Sequence, residues 1–370
     1  MHLFLSLTPD GWHPAARRGG GLASPATLMA AARQAETAGV AAVLFGMPPL
    51  DPARPGGGRA AGIRFDPLPV TGAAVGATER VGLGAYWPFD VAEPFHIARV
   101  FATLDHLSGG RTAWVTGLSG AEVLRDGFGY RPLVEDASAA ACRAAEFVAV
   151  VGDLLDSWED GGFVADQATG QFADPERVHP VDHRGAFFTV RGPLNVPRPP
   201  QGRPVIVHLD DRDGPLRAVG AAFADVVVVA PEGLEDAVQL RAALRQAAAA
   251  AGRSDAPKMI ATALLVLAAT DVAAWARAAA LEAAEPLGAL RLVGTPETVA
   301  QTMREWTAAG ACDGFDLRPA VLREDVEPVA ALVAMVGAPR PASRDGTLRA
   351  RLGLPRPASR FSAVREGGSR

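Results

Sequence analysis

The chain has 370 residues, of which 49% are hydrophobic and 21% charged, and its formal net charge is −5. This composition can bury a large core and excludes disorder caused by low hydrophobicity. Because there is no basic surplus, the sequence predicts no binding to nucleic acid or to an anionic membrane, and a small organic molecule is the expected partner. The length allows two or three domains or one large α/β barrel.

The start of the chain gives no sign of a targeting segment. MHLFLSLTPDGWHPAARR lacks the basic and apolar regions of a signal peptide, and no uncharged apolar run reaches about 18 residues. We therefore expect a cytoplasmic protein. Cys142 and Cys312 are the two cysteines, and their wide separation predicts two buried thiols instead of a disulfide framework or a zinc site.

Eight short apolar or β-branched runs recur along the chain, with helical patterns between them. They lie at 2–7, 40–46, 80–86, 111–117, 204–209, 225–230, 259–268 and 313–319. Strands that alternate with helices are typical of a parallel sheet, and eight such units are the number that closes a (β/α)8 TIM barrel. A single barrel of this type over residues 1–338 is the predicted fold class.

The sequence also carries clear helix boundary signals. Ser24 and Gly39 bracket the first predicted helix, and Thr295 is the predicted N-cap of a later one that stops before Gly310. A small hydroxyl residue at the start and a glycine beyond the end are the usual caps of an α-helix.

Two stretches do not follow the repeat. Residues 158–203 are too long for an ordinary loop before the fifth strand, and we interpret them as an ordered insertion that contains AFFTVRG as a short strand. Residues 339–370 are rich in Pro, Arg and Ser without a core pattern. We expect them to form a C-terminal tail that docks on a partner subunit and frays at its end, which predicts at least a dimer.

Functional groups in a barrel are expected where strands end. His13, His96 and His208 lie near such ends and are candidate acid/base or ligand-contacting groups, although a histidine there is more often a satisfied polar residue. The turn LDDRDG at 209–214 can be read as a cation site, but an acidic helix start that meets the helix dipole is the favoured interpretation.

The HPVDH segment has a spacing that could indicate a metal. His179 and His183 are four residues apart, as in helical metal sites, but Pro180 prevents one helix from containing both. We predict a turn here and no metal site.

Several long runs resemble one enzyme family. EPFHIARVFATLDHLSGGRTAW at 93–114, FADPERVHPVDHRGAFFTVRGPLNVPRPPQGRPVIV at 172–207, GTPETV, DGFDLRP and GTLRARLGLPRP are similar to the flavin-dependent monooxygenases of the nitrilotriacetate, EDTA and dibenzothiophene-sulfone type, within the bacterial-luciferase-like superfamily. The resemblance implies a (β/α)8 barrel, reduced FMN supplied by a separate flavin reductase, and insertion of one oxygen atom from O2 into a small organic substrate.

Within this frame the candidate site residues are the two proposed catalytic groups His96 and His13, and the proposed FMN contacts Thr116, Ser119, His208 and Arg212. A homo-oligomer is expected. The second hypothesis, from a different class, is a non-catalytic homologue that acts as a partner subunit or binding protein with an eroded flavin site.

The sequence departs from the family where polar groups would meet the flavin. The departures that replace them with apolar residues are at Met47, Val115, Leu118, Ala137 and Ala141. The family's phosphate-binding turn falls on 208–212, where Asp210 and Asp211 are negative and Arg212 is the one cation of the turn. We expect weakened FMN affinity, a colourless protein, and Arg212 as the group that offsets both aspartates.

Overall fold

The computed structural model describes residues 1–19, 24–48, 65–117, 136–212, 214–284, 289–337 and 346–361. Eight strands form a closed parallel barrel, and each falls on a predicted run: β1 His2–Leu7, β2 Ala42–Phe45, β3 Gly82–Tyr86, β4 Thr112–Thr116, β5 Val205–Leu209, β6 Val226–Val229, β7 Lys258–Leu267 and β8 Gly314–Pro319. Neighbours in this order are paired, and β8 pairs with β1 to close the ring. The predicted fold class is confirmed.

A further strand, Arg291–Gly294, was not predicted. It pairs with the second half of β7, at Leu264–Leu267, while the first half of β7 pairs with β6. The length of β7 allows it to pair with three strands, because it also runs beside β8.

Helices cover the outside of the barrel. Those described are α1 Pro25–Ala38, α2 Pro67–Ala77, α3 Pro94–Ser108, α4 Ala137–Asp156, α5 Leu216–Phe223, α6 Leu234–Ala250, α7 Asp271–Ala284, α8 Pro296–Ala308, α9 Leu322–Val336 and the short α10 Leu348–Arg351. Ser24 and Thr295 cap α1 and α8 through their side chains, and Gly39 ends α1 at φ 92°, as predicted.

Alternation along the strands separates two apolar layers. Leu44, Val115 and Val207 belong to the cluster that fills the barrel, whereas Leu5 and Phe315 pack outward against the helices. Successive side chains of a strand point to opposite faces, so each strand contributes to both layers. The polar residues at strand ends can therefore be assigned to the inner or the outer side.

The stretch 158–203 lies between α4 and β5, outside the repeating units. It contains two antiparallel hairpins, Phe163–Asp166 with Gln171–Ala173 and His183–Arg184 with Thr189–Val190. Glu146 of α4 accepts hydrogen bonds from two backbone N–H groups of this segment, at Phe187 and Phe188. The expected short strand in AFFTVRG is present at Thr189–Val190.

The C-terminal segment docks on its own barrel, at the end where the strands begin. Leu348 is fully buried in the inner cluster beside Gly82, its N–H donates to the Gly110 carbonyl at 2.8 Å, and Arg349 forms an ion pair with Asp225 at 2.7 Å. The expectation that this tail needs a partner subunit is therefore wrong for residues 346–361, because the floor of the barrel provides the apolar surface. A dimer stays a prediction without that support.

One of the two cysteines differs from the prediction that both thiols are buried. Cys312 is buried as predicted, but Cys142 is exposed, because it lies on the outer side of α4 while Arg143 and Ala144 face inward. In the part of the chain that the structure describes, no helix is long and apolar enough to cross a membrane.

Candidate functional site at the carboxyl ends of the strands

A small polar cluster lies inside the barrel, near its carboxyl-terminal mouth. Asp316 on β8 is fully buried and accepts hydrogen bonds from Ser6 Oγ at 2.6 Å, from Thr262 Oγ1 at 2.9 Å and from Arg318 Nε at 2.9 Å. Three strands thus supply its partners. A buried carboxylate with this number of donors is stabilised by them.

Arg318 joins this cluster to the loops of the mouth. Its Nη1 donates to the Pro48 carbonyl at 2.8 Å, and its guanidinium lies 4.4 Å from the ring centroid of Trp12. The indole of Trp12 in turn donates to the Ser6 carbonyl at 2.7 Å. The cation is therefore held by a carboxylate, a carbonyl and an aromatic face, and it lies inside the barrel next to the loops of the mouth.

Sequence analysis gave no role to Arg318, and it missed Ser6, Thr262 and Asp316. The signal was the alternation in GFDLRP, since Asp316 and Arg318 are two residues apart and share one face of β8, while Phe315 and Leu317 share the other. Opposite charges on the face of a strand that points into a barrel predict an internal ion pair.

Thr116 and His208 are brought together, but on the outer side of the barrel wall. They are register partners on β4 and β5, and their neighbours Val115 and Val207 are the residues that point inward. The His208 ring packs against Gly220 of α5, where an added Cβ would lie 2.3 Å from it. Both proposed flavin contacts thus face the helix layer instead of the mouth.

Burial controls the charge of His208. Its side chain is 1% exposed, and the Phe89 ring stacks at 6.1 Å. Desolvation lowers its pKa to about 4, against the weaker opposing effect of Asp210. Among the described residues, neither His208 Nε2 nor Thr116 Oγ1 has a hydrogen-bond partner. His208 is therefore neutral at physiological pH.

The two proposed catalytic histidines lie on different parts of the molecule. His13 is buried after β1, where its backbone N–H donates to the Ala320 carbonyl at 3.1 Å and its Nδ1 accepts from Ala15 N at 3.2 Å. His96 is exposed on the first turn of α3. Their proposed roles stay predictions, and the predicted contact Ser119 lies outside the described residues.

Charged side chains of the turn after β5 are paired with residues of the neighbouring helices. Arg217 of α5 binds Asp210 through Nε at 3.1 Å and Nη2 at 2.7 Å. Arg212, at φ 60°, points instead to Asp236 of α6 at 2.8 Å. The expectation that Arg212 offsets both aspartates is wrong, because the left-handed backbone at Arg212 directs its side chain away from them.

Asp211 occupies the start of α5. Its carboxylate accepts hydrogen bonds from the backbone N–H groups of Leu216 at 3.0 Å and Arg217 at 3.1 Å. These are donors of the kind that an anion binds at a helix N-terminus. The favoured interpretation of this turn, an acidic helix start, agrees with this geometry.

A flavin phosphate does not fit this turn as it stands. The two N–H donors at the start of α5 are used by Asp211, and the nearby guanidinium groups of Arg212 and Arg217 are each paired with a carboxylate. The walls of the mouth are more suitable for an organic ring, because Met47 and Tyr86 are buried and belong to the inner apolar cluster with Trp12.

The histidines of HPVDH are part of the insertion and are held separately. His179 Nε2 lies 2.6 Å from a Glu159 carboxylate oxygen, and His183 Nε2 lies 3.0 Å from Glu146. Each histidine therefore has its own carboxylate. No group of three metal-ligating side chains occurs among the described residues.

Comparison with known proteins places this geometry in a family. Residues 1–289 match the model of the luciferase-like monooxygenase family. N-acetyl-S-(2-succino)cysteine monooxygenase of Bacillus subtilis (strain 168) is 32% identical over 330 residues, which cover 71% of this chain and 74% of that protein. Dibenzothiophene-sulfone monooxygenase of Rhodococcus erythropolis is 47% identical over 154 residues, but these are 41% of this chain and 33% of that protein.

Solved structures agree on the fold. EDTA monooxygenase (EmoA) from Chelativorans sp. BNC1 superposes with a TM-score of 0.82 at 24% identity, covering 96% of this chain and 98% of that one. DmoA from Hyphomicrobium sulfonivorans gives 0.84 at 20% identity, covering 100% and 96%. The solved structures agree with the barrel fold, and the match of residues 1–289 to the family model, together with the Bacillus subtilis relative, leads to one conclusion: this chain belongs to the luciferase-like monooxygenase family.

Proposed function

We propose that the protein is the oxygenase component of a two-component flavin-dependent monooxygenase. A separate reductase supplies reduced flavin, and one oxygen atom of O2 enters a small organic substrate. The observation that carries this proposal is the match of residues 1–289 to the family model on a closed eight-stranded barrel. The named relatives favour an oxygenase over the non-catalytic alternative, since they are themselves monooxygenases.

The described mouth supports this chemistry in one respect, which is the exclusion of water. Met47, Tyr86 and Trp12 are buried apolar residues at the carboxyl ends of the strands, and Arg318, paired with Asp316, packs against the Trp12 ring. Oxygen transfer from a reduced flavin needs a dry site, because water favours loss of the oxidant as hydrogen peroxide. FMN itself remains part of the proposal only through the family, because the turn after β5 does not fit its phosphate.

The substrate class is proposed from the relatives. By their names, four relatives act on N-acetyl-S-(2-succino)cysteine, dibenzothiophene sulfone, nitrilotriacetate and dimethyl sulfide; the last two are nitrilotriacetate monooxygenase component A of Aminobacter aminovorans and dimethyl-sulfide monooxygenase of Hyphomicrobium sulfonivorans. We propose a small molecule with an oxidisable carbon, nitrogen or sulfur centre. A homo-oligomer and a cytoplasmic location, both expected from the sequence, belong to the same proposal.

The test supplies the purified chain with riboflavin or FMN, a flavin reductase, NADH and the four compounds named above under 18O2. Substrate-dependent incorporation of one 18O atom, detected by mass spectrometry, is the expected result. The control is the same mixture without the chain, since free reduced flavin makes hydrogen peroxide that can oxidise sulfur compounds. A product yield equal to this control for the whole panel, together with no binding of any reduced flavin under anaerobic conditions, contradicts the proposal.

A further inference from the structure

The start of α5 already contains an anion. Asp211 accepts hydrogen bonds from two backbone N–H groups at this helix end, Leu216 N and Arg217 N. A phosphate binds such a place because the N–H groups are free and the helix dipole is positive there. In this chain the Asp211 carboxylate already accepts from both N–H groups and lies at the positive end of the helix dipole. An incoming phosphate would have to displace it.

The charges around the turn add to this effect. Asp210 is 3% exposed at its side chain and is held by both prongs of Arg217, while Arg212 is paired with Asp236. Burial, and to a smaller degree the neighbouring Asp210, raise the pKa of Asp211, and the same two causes would act against a second anion at this place. A phosphate monoester would add about 1.5 to 2 negative charges to the same place.

The same carboxylates suit an uncharged partner. An ionised carboxylate has about four lone-pair sites, of which the two backbone N–H groups use two on Asp211. A hydroxyl group can donate to the remaining positions without adding charge. The end of an unphosphorylated ribityl chain is such a hydroxyl.

We propose that the flavin site of this chain selects riboflavin over FMN, with Asp211 in the position that a flavin phosphate would need. The inference rests on the proposed function, since it presumes a flavin at the mouth. It changes the chemical class of the cofactor from a phosphate ester to a neutral alcohol.

The test compares the two flavins on the full chain, oxidised and anaerobically reduced, by quenching of flavin or protein fluorescence. We expect riboflavin to bind at least tenfold more tightly than FMN, with a ratio that falls as the NaCl concentration rises, because part of the repulsion is screened. The variant Asp211→Asn keeps one of the two acceptor oxygens and removes the charge, and it should reduce the ratio at least tenfold. Asp66→Asn, at the N-cap of α2, is the matched control and should not change it.

The outcomes separate the two claims. Equal or tighter binding of FMN by the wild-type chain overturns the riboflavin preference and leaves the oxygenase proposal standing. A ratio that Asp211→Asn and Asp66→Asn change alike also overturns it. Binding of neither flavin overturns both. The wild-type ratio and its salt dependence decide the question even if Asp211→Asn does not fold.

Discussion

The pH dependence of stability can test whether His208 is buried between β5 and α5, as the structure shows. In the folded chain it is neutral, because desolvation lowers its pKa to about 4 from 6.5. The unfolded chain binds this proton below pH 6.5. The unfolded state therefore holds more protons between pH 6.5 and 4, and stability falls as the pH decreases through that window.

The size of the effect follows from the same two values. Each pKa unit corresponds to about 1.4 kcal/mol, so the full gap is about 3 kcal/mol, of which about 2 kcal/mol is lost by pH 5. The assay is urea unfolding of the wild type and of His208→Gln at pH 7 and pH 5. Glutamine does not titrate, so the variant should lose about 2 kcal/mol less than the wild type between the two pH values.

A second position checks the assignment. Burial also lowers the pKa of His2 to about 4, at the opposite end of the barrel. Each of His2→Gln and His208→Gln should reduce the change in the free energy of unfolding between pH 7 and pH 5. The two reductions should be additive in the double variant, since the sites are distant. An identical pH dependence in wild type and His208→Gln would refute the reasoning, because it would mean that the imidazole keeps contact with water or with a proton acceptor in the folded state.

Three further predictions concern the stability of the folded chain. Arg318→Met leaves the buried carboxylate of Asp316 without its cation and should lower the free energy of unfolding by about 3–5 kcal/mol in urea titrations. Gly220→Ala should cost about 1–3 kcal/mol through collision with the His208 ring, whereas Gly76→Ala, a helical glycine with open space around it, should be neutral or stabilising by up to about 1 kcal/mol. Leu348→Ala should cost about 2–5 kcal/mol and lower Tm.

The clearest sequence signals were local. Strand runs such as VVVV in β6 and caps such as Thr295 depend on residues a few positions apart, and these elements were predicted correctly. The ion pair of Asp316 and Arg318 was also local, and alternation along β8 could have predicted it.

The misses depended on the direction of a side chain and on packing between distant segments. Arg217, and not Arg212, pairs with Asp210, because a positive φ at Arg212 turns that side chain towards α6. Leu348 lies in a stretch without a long apolar periodicity, yet it is buried, because together with Leu352 it fills the base of the barrel beside Gly82. Neither result can be read from spacing along the chain.

The docked C-terminal segment has a consequence for synthesis. β1 can pair with β8 only after more than 300 further residues have been synthesised. The base of the barrel is covered later still, when Leu348 has been added. Until then the interior of a nascent barrel is open at its base, and long-range parallel pairing is slow to form. A released chain that ends between β8 and α10 would therefore contain all eight strands of the barrel but would leave its apolar base open to water.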